Sequence, residues 1–295
     1  MDWLKRMNAA IDYIERNLDR DIDYSQAAKA ACCSTYHFQR MFSFISEVSL
    51  SEYIRRRRLT MAAFELNHSG VKITDVALKY GYMSVDAFSR AFKTLHGLTP
   101  QQAKVRGARL KAYPKITFHI SIKGSAELNY RIEEKTEFTV FGVETILHMD
   151  NERYKTEALN FWKKFYRTGM NLVLRPNPDG LYLAIMGYED VGVSKMPFMI
   201  CSVKKESDDT SGFREIYISA ATWAIFPTEV VPRSQIAGSI QDVMNRIFTE
   251  WLPTACYEYA SLPHCEFYYG TEENRYCEIW LPIIKVQESI KDNLQ

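Results

Sequence analysis

The chain opens on an amphipathic stripe. Leu4, Met7, Ile11, Ile14 and Leu18 recur at three- and four-residue steps, which predicts a helix with one apolar face. A short helix follows over about 24–31, then a tight turn at Ala31–Cys33. The next helix opens at Ser34, whose hydroxyl suits an N-cap. Its apolar stripe is Phe38, Met41, Phe42 and Ile45, and Thr35, Tyr36, Gln39, Arg40 and Ser43 lie on the other side. The run "SLSEYIRRRRLTMAAFEL" predicts a longer helix, with Ser49 and Glu52 at capping-box spacing and Gly70 as its stop. Then the pattern is written again. Val76, Ala77 and Tyr80 begin a short helix, Gly81 sits in the turn, and Ser84 caps a helix. Phe88, Ala91, Phe92 and Leu95 point inward there, with Val85, Asp86, Ser89, Arg90 and Lys93 outward. Ser34/Ser84, Phe38/Phe88, Arg40/Arg90 and Phe42/Phe92 stand fifty positions apart, as do Ala27/Ala77 and Lys29/Lys79. Thr99, Pro100 and Gln102 predict one more capped helix.

After Gly107 the period changes. "KITFHISIKGSAELNYRIEE" and "EFTVFGVET" mix β-branched and aromatic residues at short range, a strand signal. Residues 152–168 have helix character, and "GLYLAIMGYED" and "MPFMICSVKK" return to strand. The order recurs with 214–230 as strand, 235–252 as helix, and "CEFYYG" and "CEIWLPI" as strands. The expected fold is therefore multidomain: an all-α double helix-turn-helix N-terminal domain over 1–107, a connecting segment over 108–124, and an α+β domain of two βαββ units over 125–295.

Charge sharpens this division. The net charge of +1 hides 17 basic against 11 acidic residues in 1–110, and 20 against 25 in the remainder. A basic module that meets polyanions and a mildly acidic module with another task fit that asymmetry. The six cysteines form no CxxC pair, and no apolar run approaches the roughly 18 residues of a membrane span. The expectation is a reduced, cytoplasmic protein with buried thiols and no metal, cofactor or membrane partner.

Two short-helix, turn, helix units invite a reading as DNA readers, because such a unit lays its second helix in the major groove. The connecting helix of about 19 residues spans roughly 28 Å, near the roughly 34 Å between successive grooves on one face of the duplex. The candidate base readers are Thr35, Tyr36, Gln39 and Arg40 in the first unit and Val85, Asp86, Ser89 and Arg90 in the second. Arg40 and Arg90 can fork onto guanine, Gln39 can read adenine, and Asp86 can only accept from a cytosine amine. Ser34, Ser43, Arg55, Arg57, Ser84 and Lys93 are candidate phosphate contacts. The competing reading of Arg40 and Arg90 is an internal ion pair. The side chains of the run Arg55–Arg58 point in four directions, so one or two are expected to brace the domain.

About residues 4–107, above all the stretch Ile73–Pro100, resemble the DNA-binding domain of the AraC/XylS family of bacterial transcription regulators. Asp86 departs from the neutral or basic residue common there. The resemblance implies double-stranded DNA as a partner, and RNA polymerase as a further one.

Residues 213–280 are rich in aromatics. In "YCEIWLPI", Tyr276, Glu278 and Trp280 share one strand face, and Cys277, Ile279 and Leu281 share the other. A carboxylate between two aromatics suits an amphipathic cation if the face is partly closed; otherwise it is a surface glutamate among sheet aromatics. Trp223, Tyr217, Trp251 and Tyr257 are candidates for the same wall. "ATWAIFPTEV", "IFTEWLPTACYEY" and "CEIWLPI" resemble the GyrI-like effector-binding domain. That resemblance implies a cleft between the βαββ units for a small hydrophobic, often cationic effector, with Glu278 as the carboxylate on the final strand.

The leading expectation is a one-component transcription regulator with no catalytic residues, as a monomer or a homodimer. The alternatives are a hydrolase-like C-terminal domain, built on Glu278 with Tyr276, Tyr268 or Tyr257, and a drug-sequestering module tethered to DNA.

Overall fold

The computed structural model describes residues 2–285 apart from 47, 69, 106, 119–126, 150–152, 175–181 and 193. The helices come first: α1 (Asp2–Arg16), α2 (Tyr24–Ala30), α3 (Thr35–Ser46), α4 (Leu50–His68), α5 (Ile73–Lys79), α6 (Val85–His96) and α7 (Pro100–Ala103). The expected N-caps form, though the Ser49 box closes only by half: the Glu52 amide donates to Ser49 Oγ at 3.2 Å, and the Glu52 carboxylate goes to Arg55 and Arg56. Ser34 Oγ accepts from the His37 amide at 3.3 Å, and Ser84 caps α6 through the Ala87 amide at 3.2 Å. Thr99 and Gln102 close both bonds of a capping box on α7.

The repeat has one irregularity. The turn bond from Cys33 N to Ala28 O matches that from Tyr82 N to Ala77 O, which is 49 residues on, whereas the caps Ser34 and Ser84 are 50 apart. The second turn therefore holds one more residue. Ala28, not Ala27, is the structural counterpart of Ala77. The left-handed position falls on Cys32 (φ 55°) in the first turn and on Gly81 (φ 80°) in the second.

The second part holds β1 (Arg131–Lys135), β2 (Phe138–His148), α8 (Arg153–Arg167), α9 (Met170–Val173), β3 (Leu183–Met186) and β4 (Lys195–Val203). It continues with β5 (Arg214–Ile218), β6 (Ala221–Pro227), α10 (Ile236–Arg246), β7 (Tyr257–Tyr259), β8 (His264–Gly270) and β9 (Arg275–Lys285). The strands form one antiparallel sheet in the order β1-β6-β9-β8-β3-β4-β2-β5, with β7 on β9. That order is symmetric about the β8–β3 junction, so the repeat is ββαββ, one strand longer than expected. The stretch 214–230, expected as one strand, is two, β5 and β6, parted at 219–220. Residues 115–118 are irregular rather than strand, and 119–126 of the same expected strand lie outside the described residues.

One sheet face carries α8 against Phe198 and Ile200, and α10 against Cys277, Ile279 and Leu281, as the alternation in β9 requires. The other face is buried too. Leu183, Ile185, Met199, Trp223, Ile225, Cys265 and Trp280 form its core. Phe138 and Trp223, from opposite halves, approach to 6.4 Å between ring centroids, so the sheet curls on itself.

The two helix-turn-helix units sit in different cores. Phe88, Phe92, Leu59, Leu66 and Val76 make a separate cluster under the second unit. The first unit's Met7, Ile11, Phe38 and Phe42 belong to a cluster that continues into Phe248, Ile279 and Leu281 of the α+β part. The segment 107–118 is stitched to the first unit. Phe118 N donates to Asn8 Oδ1 at 2.9 Å, Asn8 Nδ2 donates back to Phe118 O at 3.0 Å, and Tyr113 N donates to Thr60 Oγ1 at 3.1 Å.

Candidate functional site

The two outward faces of the repeat meet different surroundings. On α6, Val85, Asp86 and Arg90 are exposed, Ser89 is half-buried, and Ser84 and Lys93 are exposed beside them. Among the described residues no ion pair holds Arg90. On α3, by contrast, Gln39 and Arg40 are each 5% exposed, and Thr35, Tyr36, Ser34 and Ser43 are half-buried. That helix is docked on the α+β domain. Gln39 Oε1 accepts from the Ser194 amide at 3.1 Å. The Tyr36 ring lies on Gly187, where a Cβ would come within 2.1 Å of Cε1. Phe44 packs on Phe248 at 5.8 Å and His37 on Tyr259 at 4.1 Å.

Arg40 is at the centre of this contact. Its Nη1 donates to Tyr36 Oη at 2.8 Å and approaches Met186 Sδ at 3.3 Å. Its Nη2 lies 3.4 Å from His264 Nε2 and 3.7 Å from Glu266 Oε1. The expectation that Arg40 and Gln39 face a duplex therefore departs from this arrangement. The outward side of α3 is outward only with respect to its own helical unit.

The arginine run is also committed. Arg55 and Arg56 both bind Glu52, at 2.7 and 2.6 Å. Arg57 is 9% exposed, pairs with Glu15 at 2.6 Å and donates to Tyr113 O at 2.6 Å. Arg58 donates to Leu18 O and Arg20 O. Arg57 is thus an internal brace rather than a free phosphate contact, because its guanidinium is shared between a half-buried carboxylate and a carbonyl.

A cavity of about 720 Å³ opens between α3, α8 and the helix-bearing face of the sheet. Trp162 and Tyr166 come from α8, Tyr182 and Phe198 from the sheet side, and Arg40 and Phe44 from α3. Glu266 on β8, 7% exposed, is the one acid among its described lining residues. Tyr268 Oη donates to Glu266 Oε2 at 2.7 Å, and His264 Nε2 stands 3.4 Å from Oε1. Burial acts to raise the Glu266 carboxyl, but His264, Arg40 and Tyr268 outweigh it and hold it below its usual range. Burial and the neighbouring Arg40 push His264 down to about 4, so its ring is neutral. A neutral ring offers Nε2 either as donor to Glu266 or as acceptor from Arg40, and Arg40 is left as the full positive charge at that carboxylate. A second cavity of about 420 Å³, lined by Ser43, Phe44, Lys155 and Gln241, adjoins the first.

None of the expected ligand residues lines the larger cavity. Glu278, Tyr276 and Trp280 do share a face of β9, but it is the face turned away from α8 and α10. Glu278 is met there by Arg131 at 2.8 Å and by Trp280 Nε1 at 3.1 Å, and makes no bond to Tyr276, Tyr268 or Tyr257. Trp223 is wholly buried and Tyr217 is 66% exposed on the edge strand β5. Trp251 and Tyr257 stack on each other at 6.3 Å, over the core of α10. The residues that sequence reasoning passed over are Glu266, Trp162 and Tyr166; Tyr268, named only as a partner of Glu278 in the hydrolase alternative, lines the cavity beside Glu266 instead. The signal for Glu266 was a charge ahead of the aromatic run "FYY" in "HCEFYY".

Two helix-turn-helix units ahead of an antiparallel domain with an aromatic cavity define a DNA-binding regulator that carries its own small-molecule module. Residues 27–106 match the helix-turn-helix domain family, and residues 128–284 match the GyrI-like small molecule binding domain family. The chain belongs to the GyrI-like family and carries an AraC-type helix-turn-helix domain at its N-terminal end. It is 36% identical over 96 residues to the regulatory protein SoxS of Salmonella typhimurium, covering 32% of this chain and 90% of SoxS. It is 41% identical over 88 residues to the transposon Tn10 TetD protein of Escherichia coli, covering 30% of this chain and 64% of that protein. The structure of SAV2435 bound to tetraphenylphosphonium is similar at a TM-score of 0.46 and 18% identity, over 55% of this chain and 98% of that one.

Proposed function

We propose that this AraC-type regulator reads promoter DNA with α3 and α6 and takes a small hydrophobic cation into the cavity above Glu266. Arg90, Ser89, Asp86 and Val85 are the base readers of α6, with Ser84 and Lys93 on phosphates. Thr35, Tyr36, Gln39 and Arg40 take the same roles on α3 once it is exposed, with Ser34 and Ser43 beside them. The observation that carries the effector reading is a buried carboxylate in a chamber walled by Trp162, Tyr166 and Tyr268. At about 720 Å³ the chamber lies within the range of small-molecule sites, roughly 300–1,000 Å³. A lipophilic cation there gains Coulomb attraction, ring-face attraction and apolar burial together. Glu266 takes the part first expected of Glu278, which already has Arg131 as its counter-ion.

One observation favours a second reading. Lys155, Lys163, Arg233 and Arg275 also line the cavity. An amphipathic anion would set its head on that basic rim and leave Glu266 paired as it is. Arg233 and Arg275 face Glu272 at 2.7 and 3.7 Å, which offsets part of that rim and keeps the cation reading first. The two are separated by a matched pair of probes, tetraphenylphosphonium and tetraphenylborate, which share a shape and differ in sign. Titration calorimetry is expected to give tighter binding of the cation, weakened about tenfold or more by Glu266→Gln, the scale of one lost charged partner. Tighter binding of the borate, indifferent to Glu266→Gln, would contradict the cation reading and support the anion.

A further inference from the structure

We propose that Arg40 holds the place of the effector's cationic head: a lipophilic cation entering the cavity takes over Glu266, displaces Arg40 and frees helix α3 to read DNA. The inference rests on the cation reading of the cavity and adds how the cavity governs DNA binding.

Four observations carry it. First, the DNA-reading helix is itself a wall of the chamber, since Arg40 and Phe44 line it. Second, Arg40 is the guanidinium in reach of Glu266, the one acid among the described lining residues. Third, its hold is loose. The closest approach to Glu266 is 3.7 Å, beyond hydrogen-bond length, and one of the Nη1 partners is the weakly accepting Met186 sulfur at 3.3 Å. A fork made for bidentate pairing is here spread over Tyr36, Met186, His264 and Glu266. Fourth, the aromatic wall already holds a cation, for Arg233 lies 4.8 Å from the centre of the Tyr166 ring.

The exchange conserves charge. Glu266 keeps one counter-ion before and after, so no buried carboxylate is left alone, which is the costly outcome. Arg40 in turn leaves a site where its donors are poorly met for water or DNA, where they are fully met. The same side chain cannot serve Glu266 and guanine together. Cation binding and reading by α3 are therefore linked, and each must strengthen the other by the same factor.

The test uses the full chain with tetraphenylphosphonium, followed by tryptophan fluorescence, and amide hydrogen exchange along 35–46. Removal of the internal competitor in Arg40→Ala is expected to tighten the cation about tenfold, as when a competent state becomes fully populated. Arg40→Met, which keeps the length of the side chain, should do the same and covers the case in which alanine leaves a hole. In the unaltered chain, saturating cation should speed exchange along 35–46 and leave 85–96 unchanged. Unchanged or weaker binding in both arginine variants, with α3 exchange unmoved, overturns the displacement and leaves the cation site standing. Loss of all Glu266-dependent binding in the unaltered chain overturns the cation reading itself, and the displacement with it.

Discussion

His37 and His264 are both buried beside Arg40, and burial pushes them down to about 3 and about 4 from an ordinary 6.5. Each is neutral in the fold and gains a proton more easily when unfolded. The unfolded chain therefore binds more protons below about pH 6.5, and stability falls as the pH drops from there towards 4. The Glu266 carboxyl, held below its usual value, acts in the same direction at lower pH. The junction should lose on the order of a few kcal/mol over that window. Thermal unfolding between pH 7.5 and 4.5 checks this, and His264→Gln should flatten the curve; a melting point indifferent to pH would contradict it. At this scale the sequence was partly legible. Periodicity correctly set Gln39 and Arg40 apart from the core of their own unit. It carried no information on what that side faces, because the partner is 224 residues away at His264. Glu266 was obscured for a different reason. Both faces of β8 are buried, so alternation did not distinguish the cavity face from the curled face that holds Cys265 and Trp280.

Among the elements, the helices were the more legible because their ends carry their own chemistry. Ser84, Thr99 and Gly97 mark boundaries through bonds made within a few residues. The strands β5 and β6 merged in the reading, since the break at 219–220 carries no Gly or Pro. The one-residue difference between the two turns escaped too, because Ala27 and Ala28 match the second copy about equally well. Docking of α3 depends on a close approach between elements. Gly187, after β3, has φ +72° and lies against the Tyr36 ring. Gly187→Ala would add left-handed strain of about 1–2 kcal/mol and a clash with that ring. The expected result is release of α3: DNA affinity rises several-fold without effector, and added cation raises it little further. Equal affinities for the variant and the parent, by fluorescence anisotropy on one selected duplex, would argue that Tyr36 on Gly187 does not hold the helix.

The whole molecule carries two helix-turn-helix units in unlike surroundings. The second helix-turn-helix has its own core under Phe88 and Phe92, and its outward face is open. The first shares its core with the effector domain and turns Arg40 into that domain's cavity. The basic and acidic halves of the sequence pointed to two modules, but not to their meeting through α3. The measurement that tests this most directly is a hydroxyl-radical footprint on a duplex selected by the chain, taken with and without tetraphenylphosphonium. Without the cation, protection is predicted over the half-site read by α6 alone; with it, protection should extend by about one helical turn to the half-site of α3. Full protection of both half-sites in the absence of the cation, unchanged when it is added, would contradict the account.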